Sequence, residues 1–396
     1  MGSSRKTHKF FTPSPWRSGN QFSLLPNGDQ FFPEIISAIE SAHSSIDLEM
    51  YLVESGNVAT RFVDALCRAA NRKLRVRVLF DHVGSRGFNQ QDQLRLKESG
   101  VYLRFYNRLR RKKLFRNLAR DHRKIIIIDD QLAFVGGTGI TDKFDPTTSN
   151  QDAWRELMIR IQGPVVRDWK GMFEHIWWHY KSPFNFKNWR NKLQQTKYSS
   201  FDNVKLESIT PHARINGSRG FGIDPIKGAL ISQLRKAKRR AWISTAYFYP
   251  SRKLRREIKH AALRGVDVRL LLPGPKTDHP SIRYAGQSYY RKLLKCGVQI
   301  YEYQPHFLHM KVALIDNWSS IGSCNFDRWN LRWNLEANQE IIDAAFAEDV
   351  SNMLLDDFSH CKIIESKHWA SRSWFQRFRE FFWSRVGLLI TKIFDQ

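Results

Sequence analysis

Two things are scarce in this chain of 396 residues: acidic side chains and long apolar runs. Asp and Glu number 38 against 64 Lys and Arg, a net charge of +26 that excludes an acidic chain and points to an anionic partner surface. Nucleic acid and an acidic membrane face both meet that description. No stretch reaches the ~18 apolar residues needed to span a bilayer. The opening MGSSRKTHKFFTPSPW lacks the apolar core of a signal peptide, and Lys6 stands where a myristoylation motif wants Ser or Thr. The expectation is a protein that stays on the cytosolic side. Cysteine is also sparse: Cys67, Cys296, Cys324 and Cys361 are too scattered for a metal knuckle or a dithiol pair, and read as reduced and structural.

What is present is the composition of a folded protein, 42% hydrophobic and 26% charged, long enough for two domains or one duplicated domain. The two halves repeat one order of elements. Helical patterns over 31–45, 61–73 and 93–100 alternate with strand-like runs at 46–53, 74–81 and 101–107. In the second half, helical patterns at 226–240, 253–265 and 289–297 alternate with strands at 241–250, 266–273 and 298–304. The fold class is therefore α/β, with a mixed or parallel sheet in each half.

Each half then delivers the same polar signature. The first has His122, Lys124, Asp129 and Gly136-Gly137; the second has His309, Lys311, Asp316 and Gly322-Ser323-Cys324-Asn325. His and Lys two apart on an extended segment share a face, and the Asp seven residues after the His points to the other. Two such imidazole and ammonium pairs suit in-line displacement at a phosphodiester. One neutral imidazole attacks phosphorus, the other protonates the leaving alkoxide, and the lysines hold the non-bridging oxygens. Ser323 to Asn325 add donors for the developing charge. Glu156 and Glu336, downstream of the two histidines, are candidates to fix their tautomers. The scheme needs no cofactor and no metal. His175 and His179 fall four apart on a probable helix, but Ile176 stands where a zinc protease places Glu, so they are expected to pack.

These paired motifs resemble those of the phospholipase D superfamily, and the chain is most similar within it to bacterial cardiolipin synthases of the branch without N-terminal transmembrane helices. The resemblance runs from about Asn20 to about Ile363 and includes SLLPNGDQFFPEII, SIDLEMYLV, WRELMIRIQGPVV, KTDHPSIRYA and NLEANQEIID. It implies two tandem α/β halves related by a pseudo-twofold, packed sheet to sheet edge, with the active site at their interface. It implies His122, Lys124, Asp129, His309, Lys311 and Asp316 as motif residues and His122 as nucleophile. It also implies Asn325 as a phosphate contact and Glu156 and Glu336 as partners of the histidines. The expected layout is a tail over 1–19, a first half over 20–200, a second half over 201–365 and a C-terminal helix over 366–396.

Two departures stand out. Gly139 replaces the usual Asn of the first motif, and five residues, Asn317 to Ile321, separate Asp316 from Gly322 where six are usual. The implied reaction is phosphatidyl transfer from a glycerophospholipid, phosphatidylglycerol by preference, to a phosphatidylglycerol hydroxyl. The rival readings are a phosphodiesterase on phospholipid or nucleic acid, and a basic binding protein with a degenerate site. Two segments favour lipid over nucleic acid. RLRRKKLFRNLAR, residues 108–120, mixes cations with Leu and Phe, and the run from Trp374 to Phe394 repeats aromatic and aliphatic residues at helical spacing. The expected partner is an anionic phospholipid surface, met peripherally on the cytoplasmic face of the membrane.

Overall fold

The computed structural model describes residues 14–109, 117–148, 152–180, 211–217, 225–326 and 334–393, the side chains at 368, 370 and 387–393 excepted. In the first half β1 (Gln21–Pro26), α1 (Gly28–Glu40), β2 (Ser45–Met50), α2 (Asn57–Asn71), β3 (Arg75–Asp81), α3 (Gln90–Glu98) and β4 (Tyr102–Tyr106) lead to the hairpin β5 (Ile125–Ile128) and β6 (Leu132–Gly136). Then come β7 (Leu157–Gln162) and α4 (Val166–His179). The second half repeats this as β8 (His212–Gly217), α5 (Pro225–Lys236), β9 (Arg240–Ser244), α6 (Arg252–Leu263), β10 (Asp267–Pro273), α7 (Pro280–Gln287), α8 (Tyr290–Leu294) and β11 (Gln299–Tyr303). The hairpin β12 (Val312–Ile315) and β13 (Trp318–Gly322), β14 (Ala337–Ile342) and α9 (Ala344–Ser359) complete it. The added elements are β15 (Cys361–Ile363), α10 (Ser366–Ala370) and α11 (Trp374–Ile393).

The first sheet has the order β1-β7-β6-β5-β2-β3-β4, and the second β15-β11-β10-β9-β12-β13-β14-β8. Apart from β15 they are the same sheet: three parallel strands joined by helical crossovers, then four antiparallel ones. The strand carrying each His-Lys motif lies in mid-sheet. That position explains why β5 is four isoleucines and β12 is Val-Ala-Leu-Ile, every residue buried. The edge strands β1 and β8 were not among the segments read from the sequence, because both are short and partly polar.

The halves do not meet sheet edge to sheet edge. Their sheets share one core with α4 and α9 between them: Ile125, Ile127 and Ile159 on one side and Trp242, Val312 and Leu314 on the other close over Trp169, Phe173, Phe346 and Val350. Each helix buries one stripe at helical spacing, Val166, Trp169, Phe173 and Ile176 in α4 and Phe346, Val350 and Leu354 in α9, and keeps polar residues on its other side. The outer faces are covered separately, by α1 to α3 on the first sheet and by α5, α6 and α8 on the second.

Two polar contacts between the halves are buried. Arg155 holds Asp357 through two bonds of 2.7 and 3.0 Å, and the Trp169 indole donates to Gln339 at 2.8 Å. The segment just before β1 is also fastened: Arg17 bridges Ala213 in β8 and pairs with Asp168, so residues 14–17 belong with the second sheet rather than to a free tail. His175 and His179 stack at 4.8 Å at the end of α4, where the His179 Nδ1 bonds the His175 carbonyl.

Replacing Arg155 by Ala leaves the Asp357 carboxylate buried without its cation, so stability should fall by about 3–5 kcal/mol. Urea unfolding of the two proteins measures this, and a loss below about 1 kcal/mol would show that the pair does not hold the halves together.

Candidate active site

His122 and Lys124 lie on the segment entering β5, and His309 and Lys311 on the one entering β12, so the duplicated topology gives each half the same approach to the interface. The backbones then cross. Asp121 bridges Leu335 of the other half, with the His122 amide donating to the Leu335 carbonyl at 2.9 Å. Arg155 bridges Leu308, with the His309 amide donating to the Arg155 carbonyl at 2.8 Å. Each histidine is thereby set beside the glutamate of the opposite half. The His122 Nδ1 meets the Glu336 carboxylate at 2.9 Å, and the His309 Nδ1 meets Glu156 at 2.5 Å. In the sequence each Glu follows its own half's histidine; in space the partners are exchanged.

Both lysines are buried, and the Nζ of each donates to the carbonyl of the histidine two residues earlier. Lys311 also reaches Glu156 at 3.3 Å, whereas Lys124 lies 5.4 Å from the ring of Tyr51. The ring of Tyr51 packs on His122 at 4.6 Å, and Phe144, Trp154 and Phe307 surround His309 at 5.3–5.6 Å. Two imidazoles, two ammonium groups and two carboxylates thus occupy one mostly buried cluster. Each Nδ1 is committed to a carboxylate, so chemistry at either ring would fall to Nε2.

The family model for the cardiolipin synthase, PLD-like domain matches residues 35–177 and 230–358, one match around each histidine. The chain belongs to the cardiolipin synthase family of phospholipase D-like phosphatidyltransferases. It is 34% identical to cardiolipin synthase B of Salmonella typhimurium over 366 residues, covering 91% of this chain and 86% of that protein. It is 30% identical to cardiolipin synthase 1 of Bacillus cereus over 370 residues, covering 93% of this chain and 72% of that one. The phosphatidylserine synthase structure from Haemophilus influenzae shares the fold, with a TM-score of 0.73, 15% identity and 96% of both chains covered.

The motif aspartates lie elsewhere. Asp129 takes bonds from the His43, Ser44 and Ser45 amides, and Asp316 from those of Lys238, Arg239 and Arg240. Seven residues of extended chain, roughly 20 Å, separate each from its histidine. Both aspartates, grouped with the reacting residues in the sequence reading, therefore anchor the turn that enters β2 or β9 and do not join the cluster.

Both departures from the family pattern have local explanations. The missing residue of the second motif is lost in the hairpin: Asp316 and Asn317 form a two-residue turn where Asp129, Asp130 and Gln131 form three. Beyond the turn the ladder is equivalent, Val312 facing Ile321 as Ile125 faces Val135, so Ser323 and Asn325 keep their places. Asn325 is fully buried, and neither of its side-chain polar atoms has a hydrogen-bond partner among the described residues. At Gly139 a Cβ would come 2.7 Å from the Leu52 carbonyl, so the backbone of Leu52 takes the room an Asn would need.

The halves also differ one residue after the shared glycine. The Ser323 hydroxyl donates to Glu336 at 2.6 Å, while at the matching Gly137 a Cβ would come 2.4 Å from Glu156. Burial raises Glu336 to about 8. Burial also opposes ionisation of Glu156, but Lys311 and His309 outweigh it and hold Glu156 near 2. Burial and Lys124 keep His122 well below its ordinary value, burial and Lys311 bring His309 to about 4, and burial brings Lys124 to about 7. The half around His122 therefore titrates near neutrality, and the half around His309 keeps an ionised carboxylate. Tyr51, Phe144, Trp154 and Phe307 were not picked out from the sequence as site residues, since only the folded chain brings them to the imidazoles.

Glu336 loses its proton as pH rises through about 8, so the pH profile of single turnover should have a limb between about 7 and 8 that belongs to the Glu336, His122 and Lys124 group. Glu336→Gln should move that limb; Glu156→Gln should lower the rate by about 100-fold or more and leave the limb in place. A profile that responds to the two substitutions in the same way would contradict the asymmetry.

Proposed function

We propose that this enzyme makes cardiolipin by transferring a phosphatidyl group from phosphatidylglycerol to a second phosphatidylglycerol, through a phosphohistidine on His122. The observation that carries the reading is the exchange of glutamates between two intact His-Lys pairs. In the first step the Nε2 lone pair of His122 forms the bond to phosphorus. The bond from phosphorus to the glycerol oxygen breaks, and His309 gives its proton to that oxygen. In the second step His309 takes the proton from the acceptor's hydroxyl, the new P–O bond forms and His122 leaves. Lys124, Lys311 and Asn325 hold the non-bridging oxygens, with Ser323 acting through Glu336. The assignment of roles is supported by the carboxylates: an ionised Glu156 favours imidazolium at His309, and the mostly protonated Glu336 favours neutral imidazole at His122. An entering phosphodiester anion raises both imidazoles from their depressed values, which lets His309 carry the proton.

Brief incubation with phosphatidylglycerol radiolabelled in its phosphatidyl group, followed by acid-free digestion, should place label on His122, and His122→Ala should abolish the labelling. Either histidine-to-alanine change should remove nearly all turnover. Label found on His309 would reverse the roles. No label on either, with free phosphatidic acid as the product, would make the enzyme a hydrolase.

The same reading places the enzyme peripherally on the anionic, cytoplasmic face of the membrane. Among the described residues no helix is long and apolar enough to cross a bilayer. Support comes from α11, which packs on α7 through Arg379, its guanidinium 3.8 Å from the ring of Tyr284, and turns Trp374, Phe375, Phe378, Phe381 and Phe382 to the outside. Five exposed aromatic residues on one helix face form the apolar side of an interfacial helix, flanked by Arg377 and Arg385. The side chains of Leu388, Leu389, Lys392 and Ile393, and Phe394 itself, lie outside the described residues, as do residues 110–116 of the basic segment.

Ending the chain after Ser371 should weaken binding to phosphatidylglycerol vesicles by about tenfold or more and lower turnover on vesicles more than on a short-chain monomeric lipid. Unchanged vesicle binding, together with rapid cleavage of single-stranded DNA by the intact protein, would replace the lipid reading with a nuclease.

A further inference from the structure

A cavity of about 570 Å³ lies between α7, β15, α10 and α11, away from the histidine cluster. Its volume is that of a small-molecule site, but its wall is charged rather than apolar. Arg283, Lys362, Arg372 and Arg379 line it with the buried carboxylates of Glu302 and Glu380 and the exposed one of Glu365. Two of the four cations are neutralised within the wall. Arg283 binds Glu302 at 2.6 Å, and Arg372 grips Glu380 through bonds of 2.8 and 2.7 Å. Lys362 and Arg379 have no carboxylate partner among the described residues, and Arg379 rests on Tyr284. Two donors in the wall, Arg379 Nε and Trp369 Nε1, are buried with no acceptor.

Buried donors without acceptors are costly, and here they sit beside two cations, the exposed Lys362 and the half-buried Arg379, that no carboxylate among the described residues pairs. An anionic oxygen ligand accepts from the buried donors and meets both cations. The carboxylates next to the cations disfavour a bare polyanion and offer acceptors to hydroxyl groups. We propose that this cavity is a second, non-catalytic site for a phosphate ester bearing hydroxyl groups, of the glycerophosphate type. Its wall draws Arg283 from α7, Lys362 from β15, Arg372 from the segment just before α11 and Arg379 from α11 itself. The ligand therefore ties α11 to the second half.

The test is calorimetric titration of glycerophosphoglycerol, a water-soluble diester, into the full-length His122→Ala protein, which does not consume it. Two equivalents should bind, one at the histidine cluster and one here. In the same background Lys362→Glu/Arg379→Gln should remove one equivalent and leave the affinity of the other unchanged, which also shows that the variant is folded. Lys362→Glu alone, at an exposed position, should weaken the same equivalent about tenfold, or 1.4 kcal/mol. Competition by inorganic phosphate at equal concentration would identify free phosphate as the ligand, and competition by dihexanoyl phosphatidylglycerol alone would identify a lipid headgroup. One equivalent in all the proteins, two in all, or an unchanged affinity in Lys362→Glu overturns the proposal. Loss of only the equivalent that survives the double variant would count against the histidine cluster and not against this cavity.

Discussion

The structure depends on an exchange: each half places its histidine against a carboxylate that the other half supplies. His122 and Glu336 are 214 residues apart in the chain, and His309 and Glu156 are 153 apart, yet both pairs are buried at hydrogen-bond distance. A buried imidazole needs a fixed partner to hold one tautomer, and here that partner comes with the docking of two sheets. The bridges Asp121 to Leu335 and Arg155 to Leu308 set the backbone register that makes the exchange possible. Catalytic geometry and the assembly of the halves are therefore one event.

Much of the framework could be read from the sequence because the duplication is local. The alternation of helices and strands, the His-Lys spacing and the apolar runs of β5 and β12 are properties of short segments, whose periodicity survives without knowledge of tertiary contacts. The reading failed where a residue's duty is set by something distant. Asp129 and Asp316 carry the motif's name but serve the turns that precede β2 and β9, a contact of more than 70 residues' separation. The pairing of each histidine with the opposite glutamate, and the burial of α4 and α9 between the sheets, are likewise facts of docking. The strand β15 was missed because three residues at a sheet edge carry no pattern.

The C-terminal helix combines two surfaces usually found apart. Its inner side packs on α7 through Arg379 and Tyr284, with Glu380 held by Arg372 of the segment before it, and its outer side is a row of aromatic rings. The polar side gives the helix a fixed place on the enzyme, and in the proposed membrane reading the aromatic side meets the lipid. An enzyme whose substrates reside in a bilayer gains from holding such a helix rigidly, because the height of the catalytic cluster above the lipid is then set by packing rather than by a tether.

The contrast between Ser323 and Gly137 bears on how the two halves came to differ. If one half paired with a copy of itself, every residue would appear twice around the dyad, and both glutamates would meet the same neighbour. Two identical carboxylates offer no basis for one imidazole to begin as base and the other as acid. Joining the halves in a single chain removes that restriction: a hydroxyl can be kept on one side of the axis and deleted on the other. The difference between Ser323 and Gly137 is one such break of symmetry, and the burial of Glu336 against the cationic surroundings of Glu156 is a larger one.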